Sequence, residues 1–443
     1  MKKEFKYTLS SFQMIIIGFA GIILLGTVML MLPFSTQSGV GASFFDALFT
    51  ATSAVCVTGL IVYDTATYWS TFGQIIIILL IQIGGMGVVT VAASIALISG
   101  KKIGLFGRNT IKEAISAPDV GGIVNLTGFI LKGIFLIEFI GAVIMMPTFI
   151  SKFGLEGIWM SLFHSISAFC NAGFDIMGSK TGEFTSLTGF ADNSIISITI
   201  SLLIVIGGLG FLVWHDIVKY KLKFKKYSPQ TKVVLIMTLL LIFIPAFYFF
   251  IFEFKDLSLK ERILVSLFQS ITPRTAGFNS VGLNTISEVG LFIMIILMLI
   301  GGSPGSTAGG MKTTTVAVLF SSTYSVIKND ENVRLAKRRI GDDNVKNAIA
   351  ILMLYLSLFI ISSLVICAIE NIPLLTVFYE VASAIGTVGL SLGITPSLGI
   401  ASKIILMFLM FFGRVGGLTL IYAAIGKKNK PISKYPLTKI SIG

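Results

Sequence analysis

Charge is scarce in this chain. Lys, Arg, Asp and Glu together make up 12% of its 443 residues, about half of what a soluble protein carries, while hydrophobic residues make up 54%. An ordinary soluble domain is excluded and a polytopic membrane protein is expected. Cysteine is scarce too. Three cysteines without pairing or ligand spacing exclude a disulfide framework and a zinc site. The two histidines, His164 and His215, are far apart in the sequence, and no nucleophile, base and orienting group fall together, so an enzyme is not expected. No Gly-x-Gly-x-x-Gly follows a strand, so any nucleotide control must come from another chain. The apolar run from about 12 to 33 is too long for a signal-peptide core and lacks a small-residue cleavage site; it reads as a retained first span.

What is present is a recurring pattern of long and short apolar runs. Runs long enough to cross a bilayer lie at roughly 11–33, 74–99, 124–149, 194–218, 232–252, 289–319 with an interruption, 347–369 and 403–425. Shorter apolar segments lie between them at 44–56, 158–170, 262–273 and 375–386, and re-entrant insertion is the natural reading of each. The expected fold is therefore an all-α membrane protein of eight spans and four re-entrant short helices. Lys and Arg concentrate in the N-terminal tail and at about 100–121, 219–232, 322–347 and 426–443, and are sparse in the alternate connections. By the positive-inside rule both termini are cytoplasmic and the short segments enter from outside. The basic segments also offer contacts to lipid headgroups.

Each short segment ends in a turn with glycine: Val57-Thr58-Gly59-Leu60, Asn171-Ala172-Gly173-Phe174, Thr275-Ala276-Gly277-Phe278 and Thr387-Val388-Gly389-Leu390. The marker glycines are about 104 to 114 residues apart. The second span of each unit adds a glycine cluster, at Gly84-Gly85-Met86-Gly87, Gly207-Gly208-Leu209-Gly210, Gly301-Gly302 with Gly305, and Gly413 with Gly416-Gly417. This is an internal repeat of parallel units: 1–100, 101–225, 226–328 and 329–426, followed by a tail at 427–443. A lone Thr-x-Gly is an ordinary turn. Four in register after re-entrant segments are what a pore lined by backbone carbonyls requires, because an ion leaving water needs its hydration shell replaced. Glycine tolerates the positive φ such a turn needs, and the C-terminal end of each short helix favours a cation.

These turns, with Asp46-Ala47-Leu48-Phe49-Thr50, Ser161-Leu162-Phe163-His164, Thr272-Pro273-Arg274, Ser383-Ala384-Ile385-Gly386, Ile81-Gln82-Ile83-Gly84-Gly85 and Phe412-Gly413-Arg414, resemble the Trk/Ktr/HKT superfamily of potassium-translocating membrane subunits. The resemblance covers nearly the whole chain. It implies four covalently linked units, each like a potassium-channel subunit with two spans and a pore helix, around one pore. It also implies potassium as the carried ion, with sodium as a candidate activator. Trk-type members usually carry an extra leading pair of spans, so this chain looks like the Ktr membrane subunit. Such subunits form homodimers on a soluble ring of RCK/KTN-type regulatory chains that bind the nucleotide. In the family, glycine at all four markers goes with potassium preference, and a serine at the first goes with sodium permeation. No cofactor on this chain and no nucleic-acid partner are expected. The alternative is a sodium- or proton-coupled symporter working by alternating access, which would need opposing repeats and a substrate pocket.

The sixth span is interrupted by Gly301-Gly302-Ser303-Pro304-Gly305-Ser306-Thr307-Ala308-Gly309-Gly310, which cannot sustain a helix. Together with Lys312 it resembles the family's intramembrane loop, implying a gate below the filter. The stretch Gly305 to Thr313 approaches a phosphate-binding P-loop, but Met311 breaks the required Gly-Lys step and no strand precedes it. Arg414 falls about eleven residues into the last span, where charge is costly and functional by default; by resemblance it faces the pore near the loop. Arg274, three residues before Gly277, would repel a cation if it faced the path. It is expected to point behind the filter and pair with Glu380, while Asp46 is expected to be a helix N-cap. Cys56 and Cys170, equivalent in their units, read as small filter-wall residues. Glu138 has no evident partner.

Overall fold

The computed structural model describes residues 10–99, 103–115 and 121–425, together with Pro436 and Thr438. Lys2, Lys3, Lys6, Lys101, Lys102, Lys427, Lys428 and Lys430, and most of the tail at 427–443, lie outside the described residues. The described chain is predominantly helical. Its named strands, β1 (Arg334–Leu335) and β2 (Arg338–Arg339), form one small antiparallel hairpin.

A long helix, a short helix and a broken helix follow one another four times. The first set is α1 (Ser11–Leu30), α2 (Phe44–Val55), α3 (Thr71–Met86) and α4 (Val88–Ile98). After α5 (Leu105–Ala114) come α6 (Ile123–Phe153), α7 (Glu156–Phe169), α8 (Ser194–Leu209) and α9 (Phe211–Tyr220). The third set is α10 (Pro229–Tyr248), α11 (Leu259–Ile271), α12 (Glu288–Leu299) and α13 (Thr313–Ile327). The fourth is α14 (Asp342–Glu370), α15 (Leu374–Gly386), α16 (Ile400–Val415) and α17 (Gly417–Ile425).

Hydroxyls decide where many of these helices start. Ser10, Ser43, Ser70, Ser228, Ser258 and Ser287 each accept a first-turn N–H, and Ser10 completes a capping box with Gln13. The cap of α2 corrects an expectation. Ser43, not Asp46, is the N-cap, because only Ser43 has the extended backbone (φ −62°, ψ 155°) that a cap requires. Asp46 sits in the first turn, where its carboxylate accepts from the Ser43 hydroxyl at 2.8 Å and from the Tyr63 hydroxyl at 3.2 Å.

Among the described residues, four helices are long and apolar enough to cross a membrane, and up to six if each bent pair counts as one span. The bent pairs are α3 with α4, at 91°, and α8 with α9, at 98°. The outward faces are apolar: Leu24, Leu25 and Val28 on α1, Phe135, Leu136 and Phe139 on α6, and Phe243, Ile244 and Phe247 on α10 are all exposed. Hydroxyl side chains are inside, among them Ser53, Thr58, Ser165, Ser167, Thr272, Ser383 and Thr387. This inverts the pattern of a soluble protein and suits a hydrocarbon surround.

The sets close on one another. α3 packs on α2 and on α7, α8 on α7 and on α11, α12 on α15, and α16 on α15 and back on α2. Lys403 of α16 meets Asp46 of α2 at 3.9 Å across that last seam. The four short helices are thereby held inside the bundle with their C-terminal ends converging.

Candidate ion pathway

The turns that follow α2, α7, α11 and α15 form a closed ring. A methyl group on Gly59 would run into the Ala172 carbonyl oxygen, one on Gly173 into that of Ala276, one on Gly277 into that of Val388, and one on Gly389 into that of Thr58. Each glycine thus lies against the middle carbonyl of the next turn, in the order 59, 173, 277, 389 and back to 59. The glycines have φ of +93°, +69°, +81° and +96°. Two residues earlier in each turn, Val57, Asn171, Thr275 and Thr387 also have positive φ, at +57°, +61°, +72° and +52°. Thr58, Ala172, Ala276 and Val388 between them do not. A backbone that alternates in hand in this way can turn successive carbonyls to one side, the arrangement a dehydrated cation needs.

Positive φ at β-branched Val57, Thr275 and Thr387 costs roughly 1–3 kcal/mol each and persists only where the surroundings over-determine it. Hydroxyls behind each turn do so. Gly59 N–H donates to Ser53 Oγ at 3.1 Å, and Gly389 N–H to Ser383 Oγ at 2.9 Å. Ser167 and Thr272 act the other way, donating to the Phe174 carbonyl at 2.7 Å and to the Phe278 carbonyl at 2.6 Å. The backbone carbonyls of the same four residues also accept from the middle N–H of the turns, at 2.8–3.0 Å. These four hydroxyls escaped the sequence reading. The signal was present: a hydroxyl stands six residues before Gly59, Gly173 and Gly389, and five before Gly277.

Below the ring, the segment from Ile300 to Lys312 leaves helix and doubles back. Its base is pinned by Gly301 N–H to the Met311 carbonyl at 2.8 Å and Thr313 N–H to the Gly302 carbonyl at 3.1 Å. Its arms lean on the neighbouring breaks. Ser303 N–H donates to the Gly208 carbonyl at 3.0 Å, Gly310 N–H to the Gly413 carbonyl at 3.1 Å, and Phe211 N–H to the Gly305 carbonyl at 2.7 Å. Its crown reaches the ring: Thr307 Oγ1 donates to the Phe169 carbonyl at 3.1 Å, and Gly309 lies so close to Thr387 that a side chain there would overlap its hydroxyl. Ser306 donates to the Ser303 carbonyl at 2.7 Å, and Lys312 Nζ folds back to the Ala308 carbonyl at 2.8 Å.

Arg414, at the end of α16, holds the loop to the first set. Its guanidinium donates to the Thr307 and Gly84 carbonyls, and to the Gly85 carbonyl at 3.0 Å. A cation at the C-terminal carbonyls of α3 is also favoured by the helix dipole. Arg414 and Lys312 line a cavity of about 290 Å³ with Gly85, Ile115, Gly305 and Ala308.

The TrkH family, described as cation transport protein, matches residues 2–433. The chain belongs to this family. Among its relatives, the potassium/sodium uptake protein NtpJ of Enterococcus hirae is 40% identical, over 100% of this chain and 99% of that protein. The Ktr system potassium uptake protein B of Bacillus subtilis is 37% identical, over 97% of this chain and 96% of that protein. The crystal structure of the potassium transporter TrkH from Vibrio parahaemolyticus has the same fold: TM-score 0.73 at 19% identity, covering 95% of this chain and 86% of that one. As a TrkH-family chain with several apolar helices of spanning length, this is a multi-pass membrane protein.

One expected contact in this TrkH-family chain is not formed. Arg274 and Glu380 do not pair; the ion pairs among the described residues join Lys180 to Glu156, Arg334 to Asp330 and Lys403 to Asp46. Glu380 is turned instead toward the segment after the fourth turn, accepting from the Ser391 hydroxyl at 2.8 Å and from Thr395. Those hydroxyls satisfy the carboxyl from the same unit, so nothing draws Arg274 across. Arg274 is buried in the third turn with its Nε unpaired. His164 is a core residue, bonded through Nδ1 to the Met160 carbonyl at 2.7 Å and stacked on Phe149. Two residues past Gly173, burial pushes the Asp175 carboxyl up to about 7, with the nearby Asp64 charge adding to the shift and the N–H of Met177 opposing it.

Proposed function

We propose that this chain takes up potassium across the cytoplasmic membrane as the translocating subunit of a Ktr-type system. The observation that carries the reading is the ring, in which each of four glycine turns lies against the middle carbonyl of the next. Val57, Thr58, Gly59, Asn171, Ala172, Gly173, Thr275, Ala276, Gly277, Thr387, Val388 and Gly389 form the ion filter. The loop from Gly302 to Gly310, with Lys312 and Arg414, forms the gate. In full, eight spans and four re-entrant helices make four parallel units at 1–100, 101–225, 226–328 and 329–426, with both termini cytoplasmic. No bond is made or broken. The membrane potential drives entry, at about 2.3 kcal/mol per charge per 100 mV.

The names of the relatives support potassium as cargo, and Ktr naming supports a separate regulatory subunit. That partner is a soluble ring of RCK/KTN type that supplies the nucleotide site, on which the chain sits as a homodimer. The potassium/sodium naming of one relative makes sodium the ion to test as activator. Potassium and rubidium uptake in cells lacking their own potassium transport, with and without sodium, tests the reading. Wild type restores uptake, and Gly59→Ser lowers the preference for potassium over sodium by about tenfold or more, since a side chain at φ +93° runs into the Ala172 carbonyl. An unchanged preference in that variant refutes the filter. Transport no faster than a conformational cycle favours the alternating-access symporter.

A further inference from the structure

A buried polar cluster outside the ring and loop lies at the seam between the first and second units. Glu138, midway along α6, is 3% exposed. Its Oε2 accepts from Gln82 Nε2 at 3.2 Å, and its Oε1 faces the Cys170 thiol at 3.9 Å. The same thiol lies 3.7 Å from Gln82 Oε1. Gln82 comes from α3, Glu138 from α6, and Cys170 is the C-cap of α7. The seam is tight: Ser165 of α7 donates to the Glu138 backbone carbonyl at 2.6 Å, and a Cβ on Gly85 would overlap the Cys170 sulfur.

Cys170 immediately precedes Asn171, the left-handed residue of the second turn, at φ +61°. Asn171 in turn meets the Thr275 hydroxyl of the third turn at 3.0 Å. Whatever fixes the end of α7 therefore fixes the second turn and touches the third. We infer that Gln82 and Glu138 are positioning residues for the ion filter, holding Cys170 from behind so that Asn171 keeps its left-handed conformation. Asn reaches the left-handed region readily but can also leave it, and this three-element clasp fixes the end of α7 from which that turn departs.

The clasp asks for hydrogen bonding in the shape of a carboxyl. Among the described residues Glu138 has no ion-pair partner, and an amide and a thiol face its two oxygens. Glutamine at 138 keeps that shape, and the Gln82 amide can turn to accept from it. The inference rests on reading the ring as a filter, so its test includes a variant of the ring itself.

The experiment uses the full chain in cells lacking their own potassium transport. Rubidium uptake competed by sodium is measured and normalised to the amount of the chain in the membrane. Gln82→Ala and Glu138→Ala are expected to shift the potassium-over-sodium preference by about tenfold, the scale of one or two lost hydrogen bonds. Glu138→Gln stays within about twofold of wild type, as does Lys132→Met on the exposed side of the same helix. Alanine variants that lower the amount of protein but leave the preference unchanged overturn the inference, because that is what packing alone would do. Glu138→Gln behaving like Glu138→Ala also overturns it, since charge would then be the property required. If Gly59→Ser alters the preference and neither alanine variant does, only this inference fails; if Gly59→Ser alters nothing, the filter reading fails first.

Discussion

Three of the four inner helices break at a single glycine, and the fourth breaks over a loop. Gly87, Gly210 and Gly416 take φ of +82°, +96° and +91° and let the chain turn sharply within one residue. In the third set the corresponding stretch runs from Ile300 to Lys312 and folds beneath the ring. The difference is one of backbone satisfaction. A one-residue break leaves few carbonyls and N–H groups without helical partners, whereas a long one at membrane depth leaves many, and each must find a partner in protein. The loop finds them on the other breaks, at Gly207, Gly208 and Gly413, and through Arg414 it is tied to the first. The short breaks thus serve as the frame on which the long one rests, and the position of the loop depends on all four inner helices although its sequence belongs to one.

The strongest test of that comparison removes the tie. Arg414→Ala deletes charge-assisted hydrogen bonds worth about 1.5–3 kcal/mol each, and should raise potassium uptake per molecule by about tenfold or more. Uptake at or below the wild-type rate would mean that Arg414 supports the fold and does not restrain the loop.

A pair of glycine variants separates frame from bend. Gly210→Ala and Gly416→Ala both incur about 1–3 kcal/mol of strain, because each glycine has positive φ with extended ψ (96°, 142° and 91°, 134°). Only the first meets the loop, because its Cβ would lie 2.6 Å from the Pro304 carbonyl oxygen, while the second meets nothing nearer than Thr419 Oγ1 at 3.8 Å. The melting temperature in detergent should fall more for Gly210→Ala, and its uptake should change while that of Gly416→Ala does not. Equal effects would erase the distinction between the two breaks.

Thr307→Val keeps volume but removes the hydroxyl donated to the Phe169 carbonyl, at a cost of about 1 kcal/mol, with a severalfold rise in uptake. Thr90→Val, just past the first break, removes a buried hydroxyl that has no partner and should be neutral or slightly stabilising in a thermal melt. Away from the breaks, the fold should gain a pH dependence from Asp175. Because the Asp175 carboxyl is raised to about 7, its protonated form is favoured by the fold, so its contribution is complete below about pH 4 and is lost as pH rises through 7. Asp175→Asn should flatten the melting temperature over that window and leave gating unchanged.

The turns were legible in the sequence because glycine at positive φ recurs at the same place in four units. The break at 300–312 was legible because proline and clustered glycine interrupt an apolar span. Arg414 stood out because charge is rare there. What could not be read was which groups meet across units. Arg414 and Gly84 are 330 residues apart, and Gln82 and Glu138 are 56 apart. Arg274 shows the limit from the other side: a carboxylate in a neighbouring unit looked like its partner, yet Glu380 is satisfied by Ser391 and Thr395 within its own. Asp46 likewise lost the cap to Ser43, three residues earlier, by backbone conformation alone.

The sequence by itself determined the local events: where apolar runs are long enough to span, and where glycine lets the backbone take positive φ. These follow from side-chain hydrophobicity and allowed φ, which each residue carries with it. Only the tertiary structure decided that the four turns close into a ring, that the loop rests on the other units' breaks, and that Glu138 backs Cys170. Those depend on distances between helices far apart in the chain, and such distances are set by how the four units pack.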